Sequence, residues 1–248
     1  MKCTVIGFWG GYPAQGGATS SYLFEKDGFS LLVDVGSGAL STVQNYKHVM
    51  DIDAVILSHY HHDHMADIGV LQYAWLVHSY LRTEKEILPI YGHLENKEKF
   101  ETLTHECTEG IPYDPMCELR VGPFSIRFMK TNHPVPCYGM RITDGEDVIV
   151  YTADTSFKEE WAGFARDADL LITDCNFYED QDGSATGHMN SKEGATIASQ
   201  ANAGSLLLSH LPQYRDTNDL VLGAKKYFSG SIQLAETGLV WQKKGFNF

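Results

Sequence analysis

Residues 58–67 read SHYHHDHMAD and follow the apolar run AVIL at Ala54 to Leu57. That run predicts a short buried strand. Beyond it, Met65, Ile68, Leu71 and Trp75 recur at helical spacing, which predicts a helix over residues 65–81. The imidazoles and the carboxylate therefore occupy a strand-to-helix turn. His59 and His61 are two apart in extended chain, so their rings leave on one side and can share a metal ion. Asp63 and His64 fall where the chain begins to coil, which points them elsewhere, towards a second ion. Imidazole with carboxylate suits zinc, with manganese or iron(II) as weaker fits. The plainer alternative is a histidine-rich surface turn that binds nothing. Four potential ligands within six positions, at the mouth of a buried strand, weigh against it.

The pattern HxHxDH, present as His59 to His64, resembles the signature of the metallo-β-lactamase superfamily. The resemblance implies three further ligands. A later His is met by His133 in MKTNHPVPCYGMRI, a bridging Asp by Asp154 in DVIVYTADTSF, and a last His by His210 in SLLLSHLPQY. By this resemblance His59, His61 and His133 hold one divalent ion, Asp63, His64 and His210 hold another, and Asp154 bridges them. Two ions a few ångströms apart would share a water and lower its pKa towards about 7. Asp34, at the end of SLLVD, is expected behind the ligands, taking the free N–H of a ligand His and fixing its tautomer. A turn-forming Asp before Gly residues is the other reading of that position. Asp174 also ends an apolar strand, but Asp154 directly follows the His133 hairpin, so Asp174 is expected as a capping or supporting acid.

The opening, with a Gly/Pro loop (GGYPAQGGATSS) leading to Ser-Ser and a paired strand, resembles the ribonuclease Z branch. So does SATGHMNSKEGATIASQ, where Gly187-His188 precedes a helix, a strand and the final His. By resemblance, His188 reaches into the site and donates a proton to the scissile phosphate or leaving oxygen, as an imidazole near neutrality can. Asp63 and His188 are thus the expected catalytic residues. Two features depart from that branch. Only 21 positions separate His133 from Asp154, too few for the long basic arm that grips transfer RNA. Asp67 also stands where the branch often has Gly. The chain resembles the short-form relatives without the arm, which puts transfer RNA in doubt as a substrate. A homodimer is implied only by analogy with relatives.

In chain order, residues 2–9 predict a first strand, and Asp27-Gly28 between two apolar runs predicts a hairpin. A strand at residues 88–91 and a helix at 95–103 come next. Residues 104–117 (THECTEGIPYDPMC) are expected to be an irregular joint and a possible flap over the site. Strands follow at 118–121, 124–130, 137–143 and 147–152. Helices from 158, at 191–203 and at 216–228 then alternate with strands at 169–173, 205–209 and 231–234. The order predicts an α/β fold of αββα type, with two mixed sheets face to face and helices outside. All 248 residues are expected to form one domain of two pseudo-halves.

Net charge is −13 with histidines neutral, so a broad nucleic-acid footprint is disfavoured. No apolar run is long enough to cross a bilayer, and the N-terminus is apolar too briefly for a secretion signal. Five cysteines, odd in number and without a CxxC pair, suit reduced thiols in a cytoplasm. The leading functional expectation is a dinuclear metal phosphodiesterase acting on a small or locally exposed phosphodiester. A lactonase or glyoxalase-like (thio)ester hydrolase is one alternative. A non-catalytic module binding metal and nucleotide is the other.

Overall fold

A computed structural model of the chain describes residues 1–81, 87–243 and 245–247. Its first sheet is built from β1 (Lys2–Gly7), β2 (Ser21–Lys26), β3 (Phe29–Val33), β4 (Ala54–Ile56), β5 (Leu88–Gly92) and β6 (Thr108–Pro112). The second contains β7 (Leu119–Val121), β8 (Phe124–Lys130), β9 (Tyr138–Thr143), β10 (Val148–Tyr151), β11 (Leu170–Asp174), β12 (Ser205–Ser209) and β13 (Ser231–Leu234). A terminal hairpin, β14 (Val240–Gln242) and β15 (Gly245–Asn247), returns to the first sheet beside β1.

Each sheet passes from antiparallel to parallel pairing. In the first, β1–β2–β3 are antiparallel and β3 to β6 parallel. In the second, β7 to β10 are antiparallel and β10 to β13 parallel. The inner faces pack on each other through Phe24, Phe124, Ile126, Met140 and Ile142, all buried. Outside the first sheet lie α1 (Ala39–Val43), α2 (His62–Met65) and α3 (Ile68–Tyr80), with Leu32, Val55, Ile68, Leu71 and Trp75 in a separate core. Outer helices α4 (Lys97–Glu101), α5 (Glu160–Phe164), α6 (Ser191–Gln200) and α7 (Asn218–Ala224) complete the chain. This is the αββα sandwich of the metallo-β-lactamase fold.

Local chemistry accounts for several boundaries. Asp27 and Gly28 both take positive φ (51° and 85°), the requirement of a two-residue turn between β2 and β3. Asn190 caps α6 through a reciprocal pair with Glu193, so both exposed N–H groups find acceptors.

Three expectations need correction. The helix foreseen over residues 65–81 is two pieces, because Asp67 N–H leaves the helical ladder for Val35 O at 3.1 Å. The joint foreseen as irregular contains β6, since even a stretch with Gly110 and Pro112 can pair with β5 when an open parallel edge is offered. The crossing from β6 to β7 is confined to residues 113–118, with Tyr113 buried and its hydroxyl on Leu57 O. The helix at 216–228 is shorter, Asn218–Ala224, and β14 and β15 had no counterpart in the sequence reading.

Candidate metal centre

Parallel strands present their carboxyl ends together, and both sheets do so at one rim. The turn after β4 carries His59 and His61, and α2 carries Asp63 and His64. From the second sheet, His133 follows β8, Asp154 follows β10 and His210 follows β12. Two sets result: His59, His61, His133 and Asp154, and Asp63, His64, His210 and Asp154, the donor atoms of each within 4.8 Å of one another. Asp154 belongs to both. Its Oδ1 lies 3.1 Å from His64 Nε2, and its Oδ2 lies 3.4 Å from His210 Nε2 and 3.6 Å from His59 Nε2.

The backbone is bent to make this possible. Asp34, Ala153 and His210 take left-handed conformations, with φ of 56°, 51° and 54°. For non-glycine residues such angles cost free energy and persist where packing over-determines them. Gly36 serves the same rim differently: a Cβ there would stand 2.1 Å from the carbonyl oxygen of Asp63.

Behind the cluster, supporting groups fix four of the five rings. His64 Nδ1 donates to Asp34 Oδ2 at 2.8 Å, and His133 Nδ1 to Gly187 O at 3.1 Å. His59 Nδ1 meets Ser58 Oγ at 3.0 Å, and Ser58 Oγ in turn donates to Asp34 Oδ2 at 2.8 Å. His210 Nδ1 lies 3.6 Å from Asp174 Oδ1. Asp34 therefore backs one ring of each set, His64 directly and His59 through a hydroxyl. Ser58 N–H and the Tyr151 hydroxyl hold its carboxylate at 2.7 and 2.9 Å. Such contacts leave each Nε2 facing forward as a lone-pair donor.

Those forward atoms fit a cation. His59 Nε2, His64 Nε2 and Asp154 Oδ1 are buried without a hydrogen-bond partner among the described residues. A native fold seldom leaves buried polar atoms unpartnered. The charge balance points the same way. Burial opposes protonation of His64, but Asp154, Asp63 and Asp34 outweigh it and raise its pKa well above the usual value. His210 is pushed up to about 10 against burial, by Asp154, Asp174 and Asp63. Burial would raise the Asp154 pKa, yet His210 and His64 hold it well below the carboxylate range. Protons here occupy positions that a divalent ion would take over, since ligand imidazoles must be neutral to bind metal. The donor set, five imidazoles and two carboxylates, is the chemistry of zinc-type sites.

Next to the cluster stands His188, whose Nδ1 donates to Asp174 Oδ2 at 2.8 Å. Its ring stacks on His210 at 5.0 Å between centroids. Burial opposes its protonation, and Asp174 overrides that, raising its pKa. Asp174 also accepts from Thr155 N–H at 3.1 Å. A cavity of about 370 Å³ is shared by His188, His61, Asp63, His210 and the glycine loop at Gly10, Gly11 and Tyr12. Gly11 N–H donates to Asp63 Oδ2 at 2.8 Å, so the loop touches the cluster as well as lining its mouth. Asp67 takes no part: its Oδ2 accepts from Leu40 N–H in the first turn of α1.

Every site residue expected from the sequence, Asp34, His59, His61, Asp63, His64, His133, Asp154, His188 and His210, lies in this one region. Ser58, Tyr151 and Asn176 were not foreseen. Asn176 donates from Nδ2 to His210 O at 2.9 Å, holding the left-handed turn in place. Ser58 alone left a trace in the sequence, as the hydroxyl residue opening the histidine motif.

Known proteins place the chain. The family model "Beta-lactamase superfamily domain" matches residues 30–211. A relative in Bacillus subtilis, the probable metallo-hydrolase YhfI, is 53% identical over 243 residues, covering 98% of this chain and all (100%) of that protein. The crystal structure of YhfI, described as a metallo-beta-lactamase fold protein, superposes with a TM-score of 0.96 over 97% of this chain and 98% of that one. Ribonuclease Z of Metallosphaera sedula is 28% identical over 285 residues, covering 94% of this chain and 96% of its own. Human tRNase Z, short form, shares the fold, with a TM-score of 0.77 at 19% identity over 98% of this chain and 99% of that one. Among the described residues, no helix is long and apolar enough to cross a membrane. The family and the clustered histidines and aspartates together imply divalent metal, and the chain belongs to the β-lactamase superfamily as a metallo-hydrolase.

Proposed function

We propose that this metallo-hydrolase is a dinuclear phosphodiesterase acting on a small or locally exposed phosphodiester. One observation carries the reading: His188, oriented by Asp174 at 2.8 Å, lines the same cavity as the metal cluster. His59, His61 and His133 would hold one divalent ion and Asp63, His64 and His210 a second, with Asp154 common to both. Zinc suits these donors, and manganese is the alternative. Metal bound there supplies Lewis acidity and a water that ionises near neutral pH.

The chain's own groups do the rest. Asp174 accepts a hydrogen bond from His188 Nδ1–H, which leaves Nε2 to meet the substrate. A leaving alkoxide needs a proton, and an imidazolium held in one orientation can donate it. Asp63 serves beside it, its Oδ2 held by Gly11 N–H at 2.8 Å. Relatives named ribonuclease Z and tRNase Z fit phosphodiester chemistry. Transfer RNA itself is not proposed, because only β9, β10 and their turn separate His133 from Asp154, with no inserted arm.

The test is a substrate panel on metal-loaded protein: bis-p-nitrophenyl phosphate, an acyl lactone and S-lactoylglutathione. Phosphodiester turnover is expected, falling about 10²- to 10⁴-fold in His188→Ala with metal content unchanged. Lactone or thioester turnover without phosphodiester turnover would overturn the reading. Full metal occupancy with no turnover on any of the three would favour a non-catalytic binding module.

Two lesser proposals accompany it. All five cysteines are free, which fits a reducing, cytoplasmic setting; a disulfide mapped in protein isolated from its source would refute this. A homodimer would dock on the exposed side of α3, where Val70, Tyr73 and Val77 are 52%, 65% and 55% accessible. Sedimentation should then show wild type as a dimer and Val77→Asp as a monomer, and a monomeric wild type removes the idea.

A further inference from the structure

The outer face of the second sheet carries an arrangement the metal chemistry does not use. Arg127 and Arg141 are direct cross-strand partners on β8 and β9. Like charges placed opposite each other destabilise a sheet. Arg120 pairs with Ser125, two residues before Arg127, so its side chain leaves on the same face. Arg166, beyond α5, closes the group. Four of the chain's six arginines thus converge on one edge of a molecule whose net charge is −13.

Their surroundings neutralise them only in part. Arg215 pairs with Asp180 and Asp219, but among the described residues no carboxylate forms an ion pair with Arg120, Arg127, Arg141 or Arg166. Arg141 donates instead to two carbonyls, Phe164 O at 3.1 Å and Arg166 O at 3.0 Å. Burial, then the Arg127 charge, pulls its pKa below the ordinary value.

Arg127, Arg141 and Arg166 line one cavity of about 600 Å³, with Phe128 and Phe164 in its wall. That volume is ordinary for a small-molecule site. Glu118 and Asp167 also line it, leaving one net positive charge, and Asp167 is engaged by Asn202 Nδ2 at 2.9 Å. No residue of the metal cluster lines this cavity.

We infer that this face is a second site, separate from the metal centre, for a small anion with two or more phosphate groups, of the nucleoside diphosphate kind. Guanidinium forks match phosphate oxygens in pairs, which an ammonium does not. The half-buried Phe164 offers a wall for a planar base. The bound anion would also relieve the Arg127–Arg141 repulsion, so filling the cavity and stabilising the sheet are one effect.

Cys117 supplies a local readout. It lines the cavity and is exposed, whereas Cys3, Cys107, Cys137 and Cys175 are buried. Alkylation of metal-loaded protein by N-ethylmaleimide, at constant ionic strength, is followed at the Cys117 peptide by mass spectrometry. With ADP at about ten times its Kd, the rate should fall about tenfold. The double variant Arg127→Gln and Arg166→Gln should lose this protection while keeping wild-type hydrolysis of bis-p-nitrophenyl phosphate. Both side chains are exposed, so the variant keeps its core. Pyrophosphate is a second arm: protection by it shows that phosphate groups suffice, and protection by ADP alone shows that the base contributes. A Cys117 rate unchanged by both anions, or equal protection in wild type and variant, would overturn the inference.

Discussion

His59, His61, Asp63 and His64 come from one turn and one short helix, whereas His133, Asp154 and His210 come from three separate strand ends. The first group depends on local geometry: strand, turn, first helical turn. The second depends on strand order, because β8, β10 and β12 must be laid down so that their following residues reach one rim. The supports divide the same way. Ser58 lies inside the first motif, and Asp34 reaches it from the parallel neighbour β3. In the second half Asp174 and Asn176 stand at the end of β11, and Gly187 lies in the loop before α6. A site built half locally and half by topology should fail in different ways when either half is cut.

The largest effect is expected at the one side chain the halves share. Asp154→Asn keeps the shape but removes the charge that faces both sets. Metal content by plasma mass spectrometry should fall for both ions, and phosphodiester turnover by more than the roughly 10- to 100-fold expected for a supporting residue. Loss of one ion alone would show that the two sets are independent.

Asp34→Asn comes next. Asn tolerates the left-handed backbone, so the fold is kept while the carboxylate behind His64 and Ser58 is lost. Metal affinity should drop about 10- to 100-fold. Competition with a chromophoric chelator measures it, and an unchanged affinity would mean that the rings need no support.

Smaller effects belong to stability. Asp67→Gly removes the Leu40 N–H acceptor and should cost about 1 kcal/mol, with metal content unchanged, as read by denaturant midpoint and metal analysis. Ala153→Gly should be neutral or stabilise by up to about 1 kcal/mol, because Gly accepts φ 51° without strain. A clear loss of Tm there would mean that the turn before Asp154 stores no strain.

The same division explains how much was legible in advance. The ligands on the first turn could be read from spacing, since extended chain and helix onset dictate where each ring points. His133, Asp154 and His210 each look like an ordinary residue after an apolar strand, and only the resemblance joined them. The Asp174–His188 pair was half legible. His188 was marked by its loop, but Asp174 reaches it only because β11 ends beside that loop. Elsewhere tertiary pairing overrode local signals. Gly110 and Pro112 argue against a strand until β5 offers its edge, and Asp67 breaks a periodic helix because Val35 O competes for its N–H. Tyr151 could not be foreseen at all, because its hydroxyl meets Asp34 across the two facing sheets.

Metal stoichiometry is the most direct test. Protein loaded with zinc or manganese, dialysed and analysed by plasma mass spectrometry, should carry two ions per chain, and the His133→Ala and His64→Ala variants should each retain one. A single ion in the wild type, or two ions undisturbed by either substitution, would contradict a centre shared between the two halves of the fold.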